Sequence, residues 1–278
     1  MSRHDSTAIR PGRPSEIAPD ETDLLHALTT DPDGLFVAAA PEGPPLGRAA
    51  GVARGETLQI VHLQVEPLSR GRGIGRDLFE AVRAYGASRG AHHVEVFAPA
   101  EPSAAGFLLR RGLPVRALVT KLQTSGGGAP ERVPGELQPV PLGAGLTGWV
   151  ADLDRATRGF ARLPEWSRWI RAKEEVLALK RRGRPEGIGA LIRRQGAGLI
   201  GPVSALSPGA AADLLGLMTG RARAAKLSPI ALAVPAEARS LLLAAFSLGY
   251  RASGLFLLFG GSRSGDLRRY AGSVTPFF

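Results

Sequence analysis

The sequence predicts an α/β (α+β) chain of two tandem domains, each a mixed, mostly antiparallel sheet flanked by helices. Three observations predict it. Strand-like apolar runs alternate with helix-period runs over residues 8–122, and again over residues 146–259. Between them lies TSGGGAPERVPGE, residues 124–136, a Gly- and Pro-rich stretch without periodicity that reads as a linker. The two halves also resemble each other. Pro99-Ala100-Glu101 and Pro235-Ala236-Glu237 each precede a helix that ends at a glycine, Gly112 or Gly249. Asp77-Leu78 matches Asp213-Leu214 at the offset that separates the Pro residues, 136 (235 less 99, and 213 less 77). The expected domains are residues 8–124 and 137–278, joined by a linker over 125–136. A length of 278 residues suits two domains of ordinary size.

Each element follows from local pattern. Residues 8–10 begin a first strand, and 21–28 form a short helix after Asp20 as cap. Strands follow at 35–40, 48–54 and 57–65. Leu78, Phe79, Val82 and Tyr85 stand at helical spacing within 76–88. A strand at 93–97, a helix at 103–111 and a strand at 115–122 complete the first half. The second half opens with helices at 146–157 and 164–182, carrying Trp149, Leu153, Trp166, Trp169, Ile170, Val176 and Leu177. Strands at 189–193 and 199–203, a helix at 208–225, a strand at 230–234, a helix at 238–248 and a strand at 253–259 follow. The apolar tail, residues 274–278, is expected to dock on the fold.

Composition excludes several functions. The chain is 44% hydrophobic and 22% charged, with mean hydropathy near zero, which is globular. It has no cysteine, so disulfide scaffolds, thiolate nucleophiles and cysteine-held metals are out. No apolar segment suits a secretory signal or a membrane span, so a cytoplasmic protein is expected, without membrane association. The net charge of +10 falls wholly in residues 125–278, which hold 21 Lys+Arg and 11 Asp+Glu. A nucleic-acid partner is not expected, because no aromatic pattern interleaves the arginines and Arg outnumbers Lys 31 to 4, as GC-rich coding tends to produce.

The most informative segment is IVHLQVEPLSRGRGIGRDL, residues 60–78, a strand running through a Gly-rich turn into a helix. Arg70, Gly71, Arg72, Gly73, Ile74 and Gly75 offer successive backbone N–H groups with little side-chain obstruction, at a helix start whose dipole favours anions. Arg70, Arg72 and Arg76 add positive charge around it. A Walker loop is absent, since no Gly-Lys-Ser/Thr follows, and the spacing of the glycines fails the dinucleotide fingerprint.

Val65-Glu66-Pro67 followed by Arg70–Gly75 resembles the central motif of the GCN5-related N-acetyltransferases, Arg/Gln-x-x-Gly-x-Gly/Ala after a strand ending Val-x-Pro. The resemblance spans residues 8–122 and implies an acyl-CoA N-acyltransferase fold. It implies that acetyl-CoA is the acyl donor and no metal is needed, with Gly71, Arg72, Gly73, Ile74, Gly75 and Arg76 on the pyrophosphate and Leu63, Gln64 and Val65 along the pantetheine arm. The activity implied is direct N-acetyl transfer, in a ternary complex, to an amine of a small molecule or protein. A non-catalytic acyl-CoA sensor or interaction protein is the alternative. The family's tyrosine acid falls on Leu108, which cannot donate a proton, and its asparagine on Glu101. Glu95 and His62 are the leading candidates for the base, with Glu66 and Glu101 behind them, and a relayed water serves as well. Tyr250 or Tyr270 would supply the missing acid from the second half unless both are core residues. That half resembles a degenerate copy: Leu206 replaces the basic residue and Pro208 removes an N–H. Closing the acceptor pocket, burying an apolar face and homodimer formation are the roles open to it.

Overall fold

The computed structural model describes residues 7–18, 21–40, 43–125, 136–139, 148–261 and 265–273. Of the expected linker at 125–136, residues 126–135 lie outside these residues, as does the tail at 274–278; Glu136 opens a strand instead. Packing divides the chain into two units, Met1–Phe97 and Ala98–Phe278.

In the first unit the sheet order is β1-β2-β3-β4-β5. The strands are β1 (Ala8–Pro11), β2 (Leu35–Ala39), β3 (Pro45–Arg54), β4 (Thr57–Val65) and β5 (His93–Pro99). All neighbours are antiparallel except β4 and β5, which run parallel. Helices α1 (Thr22–Thr30) and α2 (Ile74–Ser88) complete the unit. Glu21 occupies the N-cap of α1, without a side-chain cap bond; Asp20, the expected cap, lies outside the described residues. Ile74, Leu78, Phe79, Val82 and Gly86 form the buried stripe of α2. The helix lies close on the sheet because Gly51 and Gly86 lack side chains. A Cβ at Gly51 would stand 2.6 Å from Val82, and one at Gly86 would stand 2.7 Å from Leu58. This close packing fixes the start of α2 at the end of β4.

The second unit begins with the last residues of β5 and holds α3 (Pro102–Leu109) and β6 (Val115–Thr124), then β7 (Glu136–Pro139), α4 (Trp149–Arg158) and α5 (Leu163–Arg171). It continues through β8 (Glu175–Arg181), β9 (Arg184–Arg194), β10 (Ala197–Ala205), α6 (Pro208–Ala224), β11 (Ile230–Pro235), α7 (Arg239–Ser247), β12 (Arg251–Gly260) and β13 (Tyr270–Ala271). Its strand order is β12-β6-β11-β10-β9-β8-β7, with β13 against β10. Thus β6 pairs antiparallel with both β11 and β12. The order β8, β9, β10, α6, β11, α7, β12 repeats β2, β3, β4, α2, β5, α3, β6.

One predicted helix is corrected. Residues 164–182 are not a single helix: α5 stops at Arg171, Lys173 turns the chain at a φ of 59°, and β8 follows. Val176, Leu177, Ala178 and Leu179 are all buried, so the strand lacks the alternation that would have marked it.

Candidate active site

The candidate site forms where β4 runs into α2. The ladder between β4 and β5 pairs Thr57 with His93 through Ile60 with Val96 and stops there. Beyond Ile60, β4 keeps its antiparallel partner on the other side, with His62 opposite Ala50, Leu63 opposite Ala49 and Gln64 opposite Arg48. The strand therefore diverges from β5 over the residues expected along the pantetheine arm, Leu63, Gln64 and Val65.

A short 3-10 turn, Pro67–Ser69, carries the chain into the Gly-rich turn. Gly71 and Gly73 have φ of +79° and +86°, a region that a Cβ disfavours. A Cβ at Gly71 would meet nothing within 4 Å, so that side of the turn is open. Gly73 is the N-cap of α2 and offers no side-chain cap. Among the described residues, the backbone N–H groups of Gly71, Arg72, Gly73, Ile74, Gly75 and Arg76 donate no hydrogen bond to the chain. Arg70 donates from Nε to the Val65 carbonyl at 3.1 Å, bracing the turn against the strand. Arg76 is paired with Asp77 at 2.8 Å, whereas Arg72 is exposed and has no ion pair among the described residues. An uncapped helix start, two left-handed glycines and a free guanidinium make a cradle suited to a phosphate group.

His62 and Gln64 share one sheet face with Ala50 and Arg48. Arg48 donates to both carboxylate oxygens of Glu21 at 3.1 and 2.8 Å. The Nε2 of His62 is buried without a hydrogen-bond partner. Burial pushes the His62 pKa below its usual value; the Glu21 carboxylate opposes that shift and Arg48 reinforces it. The imidazole is thus neutral at pH 7 and able to accept a proton. Glu21 and Arg48 belong to no motif, and only the contact between the start of α1 and β3 reveals them.

Glu95 lies elsewhere. It is fully buried and stands opposite Gln59, at the far end of β4 from the Gly-rich turn. Gln59 accepts from Arg54 Nε at 3.2 Å, and both are buried. Val65 is six residue steps beyond Gln59, about 20 Å along a strand. Glu66 and Glu101 are exposed at the starts of the 3-10 turn and of α3. Leu108 is 3% exposed on α3. The two tyrosines that would replace its missing phenol are engaged inside the second unit. Tyr250 bonds Thr219 at 3.0 Å, and burial pushes its pKa up to about 12. Tyr270 accepts from Arg162 at 2.8 Å.

At the corresponding place in the second unit, the cradle is closed. Ser207 caps α6, its side chain accepting from the Ala210 N–H at 3.1 Å, and Pro208 has no N–H to offer. No cluster of three or more metal-ligating side chains occurs among the described residues, and no described helix is long and apolar enough to cross a membrane.

A strand that diverges from its parallel neighbour and feeds an uncapped, glycine-rich helix start defines an acyl-CoA-type transferase fold, present here with a second, altered copy. The family models agree. The Acetyltransferase (GNAT) family model matches residues 5–113, and an Acetyltransferase (GNAT) domain model matches residues 150–253. The chain belongs to the GCN5-related N-acetyltransferase family, as a tandem-domain member. It is 35% identical over 162 residues to a mycothiol acetyltransferase of Clavibacter michiganensis, a match covering 55% of this chain and 49% of the relative. The chain thus spans about half the length of that relative. A protein of Pyrococcus horikoshii described as an acetyltransferase has the same fold with TM-score 0.78 at 18% identity, covering 100% of this chain and 97% of the other. A GCN5-related N-acetyltransferase of Sphaerobacter thermophilus gives TM-score 0.64 at 16% identity, covering 100% and 98%. A tandem GNAT protein from the clavulanic acid biosynthesis pathway gives 0.56 at 14%, covering 87% and 88%.

Proposed function

We propose that the chain is an acetyl-CoA-dependent N-acetyltransferase whose acyl-donor site lies in the first unit. The observation that carries this is the uncapped start of α2, with Gly71 and Gly73 at positive φ, at the end of β4 where β4 has left β5. In this reading the N–H groups from Gly71 to Arg76 hold the pyrophosphate, and Arg72 adds charge. Leu63, Gln64 and Val65 present main chain to the pantetheine arm. Transfer forms a bond between the acceptor nitrogen and the acetyl carbon and breaks the thioester C–S bond. His62 Nε2 takes the proton that the nitrogen loses, and water protonates the departing thiolate, whose conjugate thiol has a pKa of about 8.5. Glu21 and Arg48 shape the acceptor side of His62. Glu95 holds a place in the sheet interior rather than the role of base.

The acceptor is an amine of a small molecule or protein. The Clavibacter relative, named for mycothiol, makes mycothiol-type small molecules the first acceptors to assay. A second reading, an acyl-CoA sensor without turnover, is favoured by one observation: Leu108 supplies no acid, and Tyr250 and Tyr270 are held inside the second unit. An acetyl-CoA turnover assay against a panel of amines separates the two. Turnover with any amine supports the enzyme; tight acetyl-CoA binding with none supports the sensor.

A further inference from the structure

Both units contain a parallel strand pair that stops short, and the clefts beyond the two pairs differ in their contents. In the first unit, the β4–β5 ladder ends at Ile60 and Val96. In the second, the β10–β11 ladder consists of Gly198 with Ile230 and Leu199 with Ala231, and then β10 breaks register between Ile200 and Val203. There the chain's own C-terminal strand enters. Val203 pairs with Ala271 and Ser204 with Tyr270 on the β10 side. On the β11 side, the Ala233 N–H donates to the Gly272 carbonyl and the Gly272 N–H to the Ala233 carbonyl, both at 2.8 Å. Residues 270–272 are therefore bonded on both flanks, as an inserted extended ligand would be.

The neighbouring residues are fitted to this strand. Gly201, at φ +137°, lies under it; a Cβ there would stand 2.3 Å from the Ser273 nitrogen and 2.4 Å from the Gly272 carbonyl carbon. Tyr270 is fully buried, its hydroxyl accepting from Arg162, with the guanidinium groups of Arg158 and Arg162 at 5.1 and 5.2 Å from its ring centroid. Ala271 belongs to the buried core of the unit. The helix start that would receive a phosphate is meanwhile capped by Ser207.

We propose that the second unit's cleft is permanently filled by residues 270–272 and takes no acyl-CoA, leaving one acyl-CoA site per chain; the comparison rests on the first cleft being that site. The strand acts as a built-in occupant, and the second domain has exchanged ligand binding for an anchored C-terminal segment.

Residue-resolved amide exchange of the full chain by NMR tests this, with and without saturating acetyl-CoA. The expected result is that the Ala233 and Gly272 amides exchange about a hundredfold or more slower than exposed amides, unchanged by acetyl-CoA. Gly201→Val should speed both while the β8–β9 amides stay protected. Unprotected Ala233 and Gly272 amides in the unsubstituted chain, or exchange accelerated by acetyl-CoA, would overturn the proposal without any variant. Failure of the first-unit reading gives a different result: the chain binds no acetyl-CoA at its Gly-rich turn, yet both amides stay slow. One equivalent of acetyl-CoA still bound by Gly73→Asp, displacing the strand, would overturn the proposal itself.

Discussion

His62, half-buried with its Nε2 atom shut away from water, links stability to the proposed chemistry. Water is withheld from its imidazole, so the charged form is disfavoured and the folded chain binds fewer protons than the unfolded chain. The His62 contribution is therefore fully present above the usual histidine pKa of about 6.5, and is lost as pH falls through the lower folded value. Denaturant titrations from pH 8 to pH 5 should show a decline that His62→Gln reduces. The same variant should lower amine acetylation about a hundredfold or more and leave acetyl-CoA affinity unchanged. Equal turnover by wild type and His62→Gln would remove His62 from the reaction. At this scale the sequence is partly legible. The Gly-rich turn can be read because phosphate cradles need N–H groups without side chains at a local, contiguous stretch. The positions of Glu95 and His62 cannot, because the two look alike in a strand pattern, and only register reveals that Glu95 stands opposite Gln59. Glu21 and Arg48 meet across 27 residues of chain, which no local pattern encodes.

The α4–α5 corner is an element organised by one carboxylate. Asp154 is fully buried and accepts from the Arg162 backbone N–H at 2.9 Å, its Nε at 3.0 Å, and the Trp166 indole at 3.0 Å. Arg162 Nη2 also pairs with it, and Ser204 donates to it at 3.3 Å. Removing one partner of a buried ion pair leaves the other charge without compensation, which costs about 3–5 kcal/mol. Asp154→Ala should therefore destabilise the chain by that amount in chemical denaturation, and a loss under about 1 kcal/mol would show that the network relaxes. The Arg-rich region is largely accounted for by such contacts. Arg158 and Arg162 are interior, and Arg181, Arg193, Arg194 and Arg221 are paired with carboxylates. Several strands between turn signals are legible, and the pattern marks both ends of Thr57–Val65, whereas the short β7 and β13 carry no such signal. β8 is not legible, because burial on both faces leaves a continuous apolar run that reads equally as helix.

At the scale of the whole molecule, the duplicated order of elements is visible from matched Pro, Asp and Gly positions, but strand exchange is not. β6 follows the first half in sequence yet bonds β11 and β12 along both edges. Pairing between distant segments is set by tertiary packing, and no local pattern records it. A fragment of residues 98–278 should therefore fold cooperatively, whereas residues 137–278, lacking β6, should expose two unpaired edges and aggregate. Circular dichroism melts and size-exclusion chromatography of the two fragments decide this; a monomeric, cooperatively melting 137–278 fragment would contradict it. In the proposed function one acyl-CoA binds per chain, at the turn from Gly71 to Arg76. Calorimetric titration of acetyl-CoA into the full chain and into Gly73→Asp tests this, because the new side chain puts bulk and negative charge into the proposed pyrophosphate cradle, at a φ of +86°. One equivalent should bind to the full chain, and the affinity should weaken about tenfold or more in the folded variant. An unchanged dissociation constant in a folded Gly73→Asp, or two equivalents per wild-type chain, would contradict it.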